Sequence, residues 1–239
     1  MPAYSVEAIV LRRADYREND RMLTLLTQHG RVDALARGCK RPKSPLLPAS
    51  EVFTLGNYEL IASKNHTLVT ASLVRDSFYN LRLDIDRLSC AAYMANICEA
   101  TVQPDEDARA PFLLLARALD YLNYYDYAPR GVLSAFLLHY AAAMGYKPRL
   151  SHCVICGQHI EENAGALFDI DQGGVVCSAC ADQMQRGAAL KAHELAWLRE
   201  ALQRGVKGDL PPAHAPLPLL QAYLEARIEK RIPPLMVRL

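Results

Sequence analysis

Residues 4–38 read YSVEAIVLRRADYRENDRMLTLLTQHGRVDALARG, and the N-terminal fold is decided by how this stretch is divided. The run 4–14 is rich in β-branched and apolar residues and ends at the polar DYREND, which is the composition of a strand closed by a turn. RMLTLLTQ (21–28) follows, then His29-Gly30 as a turn, then RVDALARG (31–38). A loop with three prolines, CKRPKSPLLPAS (39–50), leads to EVFTLGNYELIA (51–62). That run places Phe53, Leu55 and Ile61 on one face and Val52, Tyr58 and Leu60 on the other. SKNH (63–66) turns the chain into TLVTASLV (67–74). Five short strands with tight turns in about 75 residues point to a small closed barrel, of which the five-stranded OB-fold is the common form.

Beyond residue 80 the apolar period lengthens from two to between three and four. LDIDRLSCAAYMANICEAT (83–101) carries Ile85, Leu88, Ala92 and Ala95 at helical spacing and stops before Pro104. APFLLLARALDYLNYYDY (110–127) carries Phe112, Leu115, Leu119 and Leu122, with Pro111 in its first turn. RGVLSAFLLHYAAAMG (130–145) is apolar on nearly every side, as a central helix would be, and Gly145 suits its C-terminal cap. Two further helices are expected in LKAHELAWLREALQRG (190–205), with Leu195, Leu198 and Leu202 on one stripe, and in LLQAYLEARIEKRI (219–232), stopped by Pro233 and Pro234. The expected fold is α+β and multidomain. An OB-type barrel spans 1–80, a helical bundle spans 81–150 and 186–239, and a cysteine-bearing insertion spans 151–185.

That insertion contains HCVICGQHI (152–160) and VVCSACADQ (175–183). Cys153, Cys156, Cys177 and Cys180 give the spacing C-x2-C-x20-C-x2-C, close to that of structural four-cysteine zinc sites. Gly157 fits the tight turn in which a backbone N–H reaches a sulfur, and the interval 158–176 has a polar turn, a short apolar run and Gly173-Gly174 before Val175-Val176. One structural zinc ion holding a ribbon too thin to fold alone is the expectation, with His152 and His159 beside it but not ligating. Three rivals stand against it. A redox dithiol needs only one pair, in a thioredoxin-like setting that is absent here. A zinc deaminase would use the H-x-E beginning at His159 with CSAC, but Val176 replaces its proline and Cys153 and Cys156 would have no role. Buried thiols without metal are the third. Cys39, Cys90 and Cys98 show no spacing pattern and suit reduced, core-filling thiols.

No phosphate loop, dinucleotide fingerprint, zincin motif or nucleophile elbow occurs in the sequence, and HELAW at 193–197 lacks the second histidine of a metalloprotease helix. The expectation is a protein that is not an enzyme. No run of about 18 apolar residues could span a membrane, and the first residues lack a signal-peptide layout, so a soluble, cytoplasmic protein is expected. Its net charge is only +1 over 239 residues, yet residues 1–80 hold 11 Lys/Arg against 8 Asp/Glu. Five of those cations (Arg31, Arg37, Lys40, Arg41, Lys43) fall between positions 31 and 43, with Asp33 the single acid among them. OB barrels hold nucleic acid with cations for phosphates and aromatics for bases. The candidate DNA-binding residues are Arg12, Arg13, Tyr16, Arg17, Arg21, Arg37, Lys40, Arg41 and Lys43, with Phe53 and Tyr58 as further stacking candidates.

The stretch 8–44 and the segments MGYKPRLSHCVICG (144–157) and CSAC (177–180) together resemble the bacterial recombination mediator family RecO. The resemblance covers a barrel start, a basic loop and a helix-to-zinc junction, in the order barrel then bundle. It implies binding of single- and double-stranded DNA and annealing of complementary strands. It also implies nucleoid association, and work with the partner RecR in loading RecA onto DNA coated by single-strand DNA-binding protein (SSB), whose acidic C-terminal tail the helical domain binds. Arg117 and Arg130 are basic residues of that helical region, but no motif ties them to the tail. The other reading is a zinc-stabilised protein–protein adaptor whose barrel never touches DNA.

Overall fold

In the computed structural model, residues 3–63, 66–161, 165–182 and 187–233 are described. The turn expected at 63–66 and the interval 158–176 lie partly outside this set, and the 185/186 boundary and Pro234 lie wholly outside it. The chain forms two compact units, one running to Tyr124 and the other Tyr125–Ile232.

The first unit is built on five strands: β1 (Ala3–Arg17), β2 (Asp20–Thr27), β3 (Gly30–Ala36), β4 (Leu55–Ala62) and β5 (Thr67–Asp76). They close in the order β1-β2-β3-β5-β4, the OB-type barrel expected from the sequence. β1 is long enough to serve twice. Its first half pairs antiparallel with β4, from Ala3↔Ile61 to Ile9↔Leu55, and its second half pairs with β2, out to Arg17↔Asp20. The short parallel contact of Ala34 and Leu35 on β3 with Thr67 and Leu68 on β5 completes the ring. Ala8, Val10, Leu23, Leu25, Tyr58 and Leu60 fill the interior, and a single helical turn, α1 (Leu46–Ala49), adds Leu46 and Ala49 to that cluster. Tyr58 is fully buried, and its hydroxyl donates to the Ala49 carbonyl at 2.8 Å, tying this turn to the barrel wall.

Strict alternation fails along β1, where Ala8 to Leu11 are all buried. Ile9 lies opposite Leu26 and both are fully buried, although the pleat turns them away from Val10 and Leu25. Their cover comes from α2 (Ile85–Thr101) and α3 (Arg109–Tyr124), which pack together and against β1 and β2. On α3 the expected stripe of Phe112, Leu115, Leu119 and Leu122 is buried. On α2 only Ala95 of the expected stripe is buried: Ile85 is 57% exposed, Leu88 and Ala92 are half-buried, and Cys90, Tyr93, Met94, Ile97 and Cys98 make up most of the buried surface. The Asp84 carboxylate accepts from the N–H groups of Asp86 and Arg87, and this N-cap starts the helix with Ile85 outside the packed face. EVFTLG likewise begins as a turn rather than a strand, with β4 starting only at Leu55.

The second unit is built around α4 (Pro129–Ala143), which is buried over most of its surface. It ends in a Schellman cap, in which the Tyr146 N–H donates to the Ala141 carbonyl and the Gly145 N–H to that of Ala142, with Gly145 at φ +88°. A three-stranded antiparallel sheet follows, of β6 (Ala166–Asp169) flanked by β7 (Gly174–Val176) and β8 (Ala188–Leu190), with the turn α5 (Ser178–Ala181) between β7 and β8. The helices α6 (Ala192–Arg204) and α7 (Leu217–Ile228) then pack on α4. α7 stops short of its expected end because Glu229 turns left-handed at φ 53°.

Gly30 joins barrel and helices inside the first unit. At φ +101°, a Cβ there would lie 2.6 Å from the Gln103 carbonyl oxygen and 2.8 Å from the Asp105 nitrogen. Gly30→Ala therefore combines backbone strain with a backbone clash. It should lower unfolding stability by about 2 kcal/mol or more, read as a fall in the urea midpoint.

Candidate metal centre and barrel rim

The four spaced cysteines come from two different local structures. Cys153 and Cys156 flank a turn in which the Gly157 N–H donates to the Cys153 carbonyl at 3.0 Å, with Gly157 at φ +76°. Cys177 precedes α5 and Cys180 lies within its single turn, where the Cys180 N–H reaches the Cys177 carbonyl at 3.1 Å. Their Sγ atoms all lie within 4.8 Å of one another, and those of Cys156 and Cys177 are 3.7 Å apart. Sulfurs bound tetrahedrally at about 2.3 Å from one ion stand roughly 3.8 Å apart. The four can therefore hold one metal ion. All remain free thiols, well beyond the 2.0 Å or so of an S–S bond.

Burial raises the Cys153 thiol, but the N–H groups of Cys156, Cys177 and Ile155 donate to its sulfur and carry its pKa down to about 6. Hydrogen bonds with Cys156 and Cys177 push Cys180 up to about 12. Binding a metal ion requires such thiols to give up their protons. Among the described residues no histidine joins the group. His159 instead packs edge-to-face on His152 at 5.2 Å.

Two arginines fasten the surrounding ribbon. Arg199 on α6 donates from Nε and Nη2 to the Leu150 carbonyl and from Nη2 to that of Ile160. Arg227 on α7 donates from Nη2 to the Ile170 and Asp171 carbonyls, with its guanidinium 5.1 Å from the Tyr223 ring centre. Neither arginine stood out in the sequence, because carbonyl clamps leave no motif.

The barrel cations fall into two groups. Arg12 pairs with Glu99 at 2.6 Å, Arg13 pairs with Glu51, Arg21 pairs with Glu51 at 2.9 Å, and Lys40 pairs with Asp15 at 2.9 Å. Burial raises Glu51, yet the bonds from Arg21 and Arg13 hold it below its ordinary value. Arg21, with 11% of its side chain exposed, is part of the barrel wall.

Arg37, Arg41 and Lys43 are exposed and stand apart from these pairs. Arg17 is exposed as well, 5.4 Å from the centre of the Tyr16 ring. The loop that carries Arg37, Arg41 and Lys43 is fastened rather than loose. The Gly38 N–H donates to the Asp20 carboxylate at 2.7 Å and the Lys40 N–H to the Asn19 carbonyl at 3.1 Å. Arg17 lies opposite Asp20 in the strand register, so Arg17 and this loop share the tip of the β1–β2 hairpin. Tyr16 is 42% exposed there. Phe53 and Tyr58, expected as stacking platforms, are 4% and 0% exposed, because core packing has claimed both.

Known proteins match this chain over nearly its whole length. The family model described as Recombination protein O N terminal matches residues 1–76, and that described as Recombination protein O C terminal matches residues 82–235. A DNA repair protein RecO of Symbiobacterium thermophilum is 30% identical, covering 97% of this chain and 95% of its own. Those of a Roseiflexus and a Nocardioides species are each 34% identical over 95% of this chain, covering 82% and 95% of their own lengths. The chain belongs to the Recombination protein O family, a family of DNA repair and recombination.

Replacing Cys153 by serine removes the buried ligand. The variant should lose bound metal in elemental analysis, and its melting transition should fall by several kcal/mol of stability. Unchanged metal content and melting would show that the cluster does not hold the ribbon together.

Proposed function

We propose that this family member is a DNA-binding recombination mediator whose barrel rim engages the phosphate backbone, and whose cysteine centre holds one structural zinc ion. In this reading it binds single- and double-stranded DNA, anneals complementary strands, and with RecR helps load RecA onto DNA coated by SSB. The SSB tail docks on the helical region. The work is done by binding, with no bond made or broken, in the cytoplasm where chromosomal DNA lies.

The observation that carries this reading is the pairing pattern of the barrel cations. Arg12, Arg13, Arg21 and Lys40 meet carboxylates of the chain itself, whereas Arg17, Arg37, Arg41 and Lys43 crowd one hairpin tip and its fastened loop. Even with the exposed Glu18 in the same turn, these four cations leave the tip net positive, and a polyanion neutralises that charge while releasing its condensed counterions. Because hydrogen bonds already hold the loop, less ordering entropy opposes binding. Annealing follows from the same charge, since neutralised phosphates let two strands approach. Tyr16, beside Arg17, is the aromatic placed to meet a base. For the metal, four thiolates within 4.8 Å of one another would fill every position of a tetrahedral ion and leave none for an activated water, which favours a structural zinc over a hydrolytic one.

The charge reversals Arg37→Glu, Arg41→Glu and Lys43→Glu, made together, should weaken binding of labelled single-stranded DNA without lowering the melting temperature. They should also reduce the slope of log K against log salt by roughly 2, about 0.7 for each phosphate no longer neutralised. Arg12→Gln, which removes a cation already engaged by Glu99, should change the slope little. Equal effects from the two variants would remove the rim from the DNA-binding surface.

A further inference from the structure

The second unit carries a cleft that the cysteine cluster borders without filling. Its volume is about 1180 Å³, and it is formed by the segment 147–159 and by Arg199, Leu202 and Gln203 of α6. Lys147, Arg149 and Arg199 line it, and among the described residues no Asp or Glu does. The chain as a whole has 27 Lys/Arg against 26 Asp/Glu, so a cleft with three cations and no acid is sorted by charge. Its cations also stand on fixed backbone. The Arg149 N–H donates to the Gly173 carbonyl at 3.0 Å, and the Arg149 carbonyl accepts from the Val175 N–H at 2.9 Å. Lys147 directly follows the Schellman cap of α4. The carbonyl clamp of Arg199 uses three of its five donors, and Nη1 takes no part in it.

We infer that this cleft is a second phosphate-binding site for a nucleic-acid strand, separate from the barrel rim. The inference rests on the proposal that the protein binds DNA. The cleft's volume lies close to the upper end of small-molecule pockets, about 1,000 Å³, so charge rather than size carries the inference. Among the described residues no Phe, Tyr or Trp lines it, and its two imidazoles, His152 and His159, pack on each other. Without stacking platforms, recognition falls on the backbone, where Ser151 and Gln203 add neutral donors beside the cations. Two cationic surfaces on one chain allow two strands to be held at once, which annealing requires. One competing role is built into the site. A divalent ion with four thiolates has a formal charge of −2, for which Lys147 and Arg149 could serve as counterions, and metal content separates that role from phosphate binding.

The test uses the full-length, metal-loaded protein carrying Lys147→Gln and Arg149→Gln, which leave the Arg199 clamp and the backbone bonds of Arg149 in place and remove the exposed bond that Arg149 Nη2 donates to the Gln172 carbonyl at 3.2 Å. Fluorescence anisotropy follows a labelled oligothymidine over a series of salt concentrations, beside the Arg37/Arg41/Lys43 charge-reversal variant. The expected result is unchanged metal content and melting, with the salt slope reduced by about 1.4, or about 0.7 for each of the two cations removed. An unchanged slope, with affinity lost in the rim variant, would overturn the cleft inference and leave the rim proposal standing. Loss of metal from the double variant would assign Lys147 and Arg149 to the cysteine centre and overturn it as well. Binding of a labelled oligoglutamate through Lys147 and Arg149, with oligothymidine unaffected by their loss, would identify an acidic polypeptide as the occupant and refute a nucleic-acid site. A wild-type protein that ignores oligothymidine even at low salt would end both proposals together.

Discussion

The double use of β1 is the constraint on which the first unit depends. One strand pairs with β4 along Ala3–Ile9 and with β2 along Ala8–Arg17, and the ring cannot close without both halves. Closure removes the exposed sheet edges that a small open sheet would present. It also sets what each end of the strand can do. Ala8 to Leu11 are buried on both faces, between the barrel interior and the helices. The far end runs out into solvent, carrying Tyr16 and Arg17 to the hairpin tip. There Asp20 and Asn19 receive the N–H groups of Gly38 and Lys40, so the turn that ends β1 also positions the cationic loop after β3. The core and the proposed DNA surface are the middle and the far end of the same strand.

The second unit solves a different problem. The three strands of its sheet are three or four residues long, too short to gather a core of their own. Three kinds of link replace it: four thiols within reach of one ion, the arginine clamps on loop carbonyls, and the backbone bonds of Arg149 to Gly173 and Val175. Each acts on backbone that would otherwise be left without partners in an irregular loop. Gly173 shows how tight the packing is, since a Cβ there would meet the Tyr223 hydroxyl at 2.8 Å and an Arg227 nitrogen at 3.1 Å.

Features written in local chemistry were legible in the sequence. Five strand-like runs separated by turn residues led to the barrel, the cysteine spacing led to the cluster, and Gly145 marked the end of α4. Features that depend on distant partners were not. Ile85 and Tyr93 are both apolar residues of one helix, and only the N-cap at Asp84 and the packing on the barrel decide which is buried. Phe53 and Tyr58 look like base-stacking residues until the barrel closes around them. Arg13 and Arg37 are equally cationic as letters, and it is Glu51, 38 residues from Arg13, that distinguishes them. Arg199 and Arg227 act on carbonyls 39 to 57 residues away, and no sequence motif encodes such an interaction.

The account turns on electrostatic capture of a phosphate backbone, and its most direct measurement is the affinity of the wild-type chain for labelled single-stranded DNA as a function of salt. Several phosphates neutralised at once predict a linear fall of log K with log salt, with a slope of about −0.7 for each phosphate of a single strand. Four cations at the rim alone would give a slope of roughly −3 by the same rule. Binding that is absent at low salt, or present and indifferent to salt, would contradict the account and leave a metal-stabilised protein adaptor in its place.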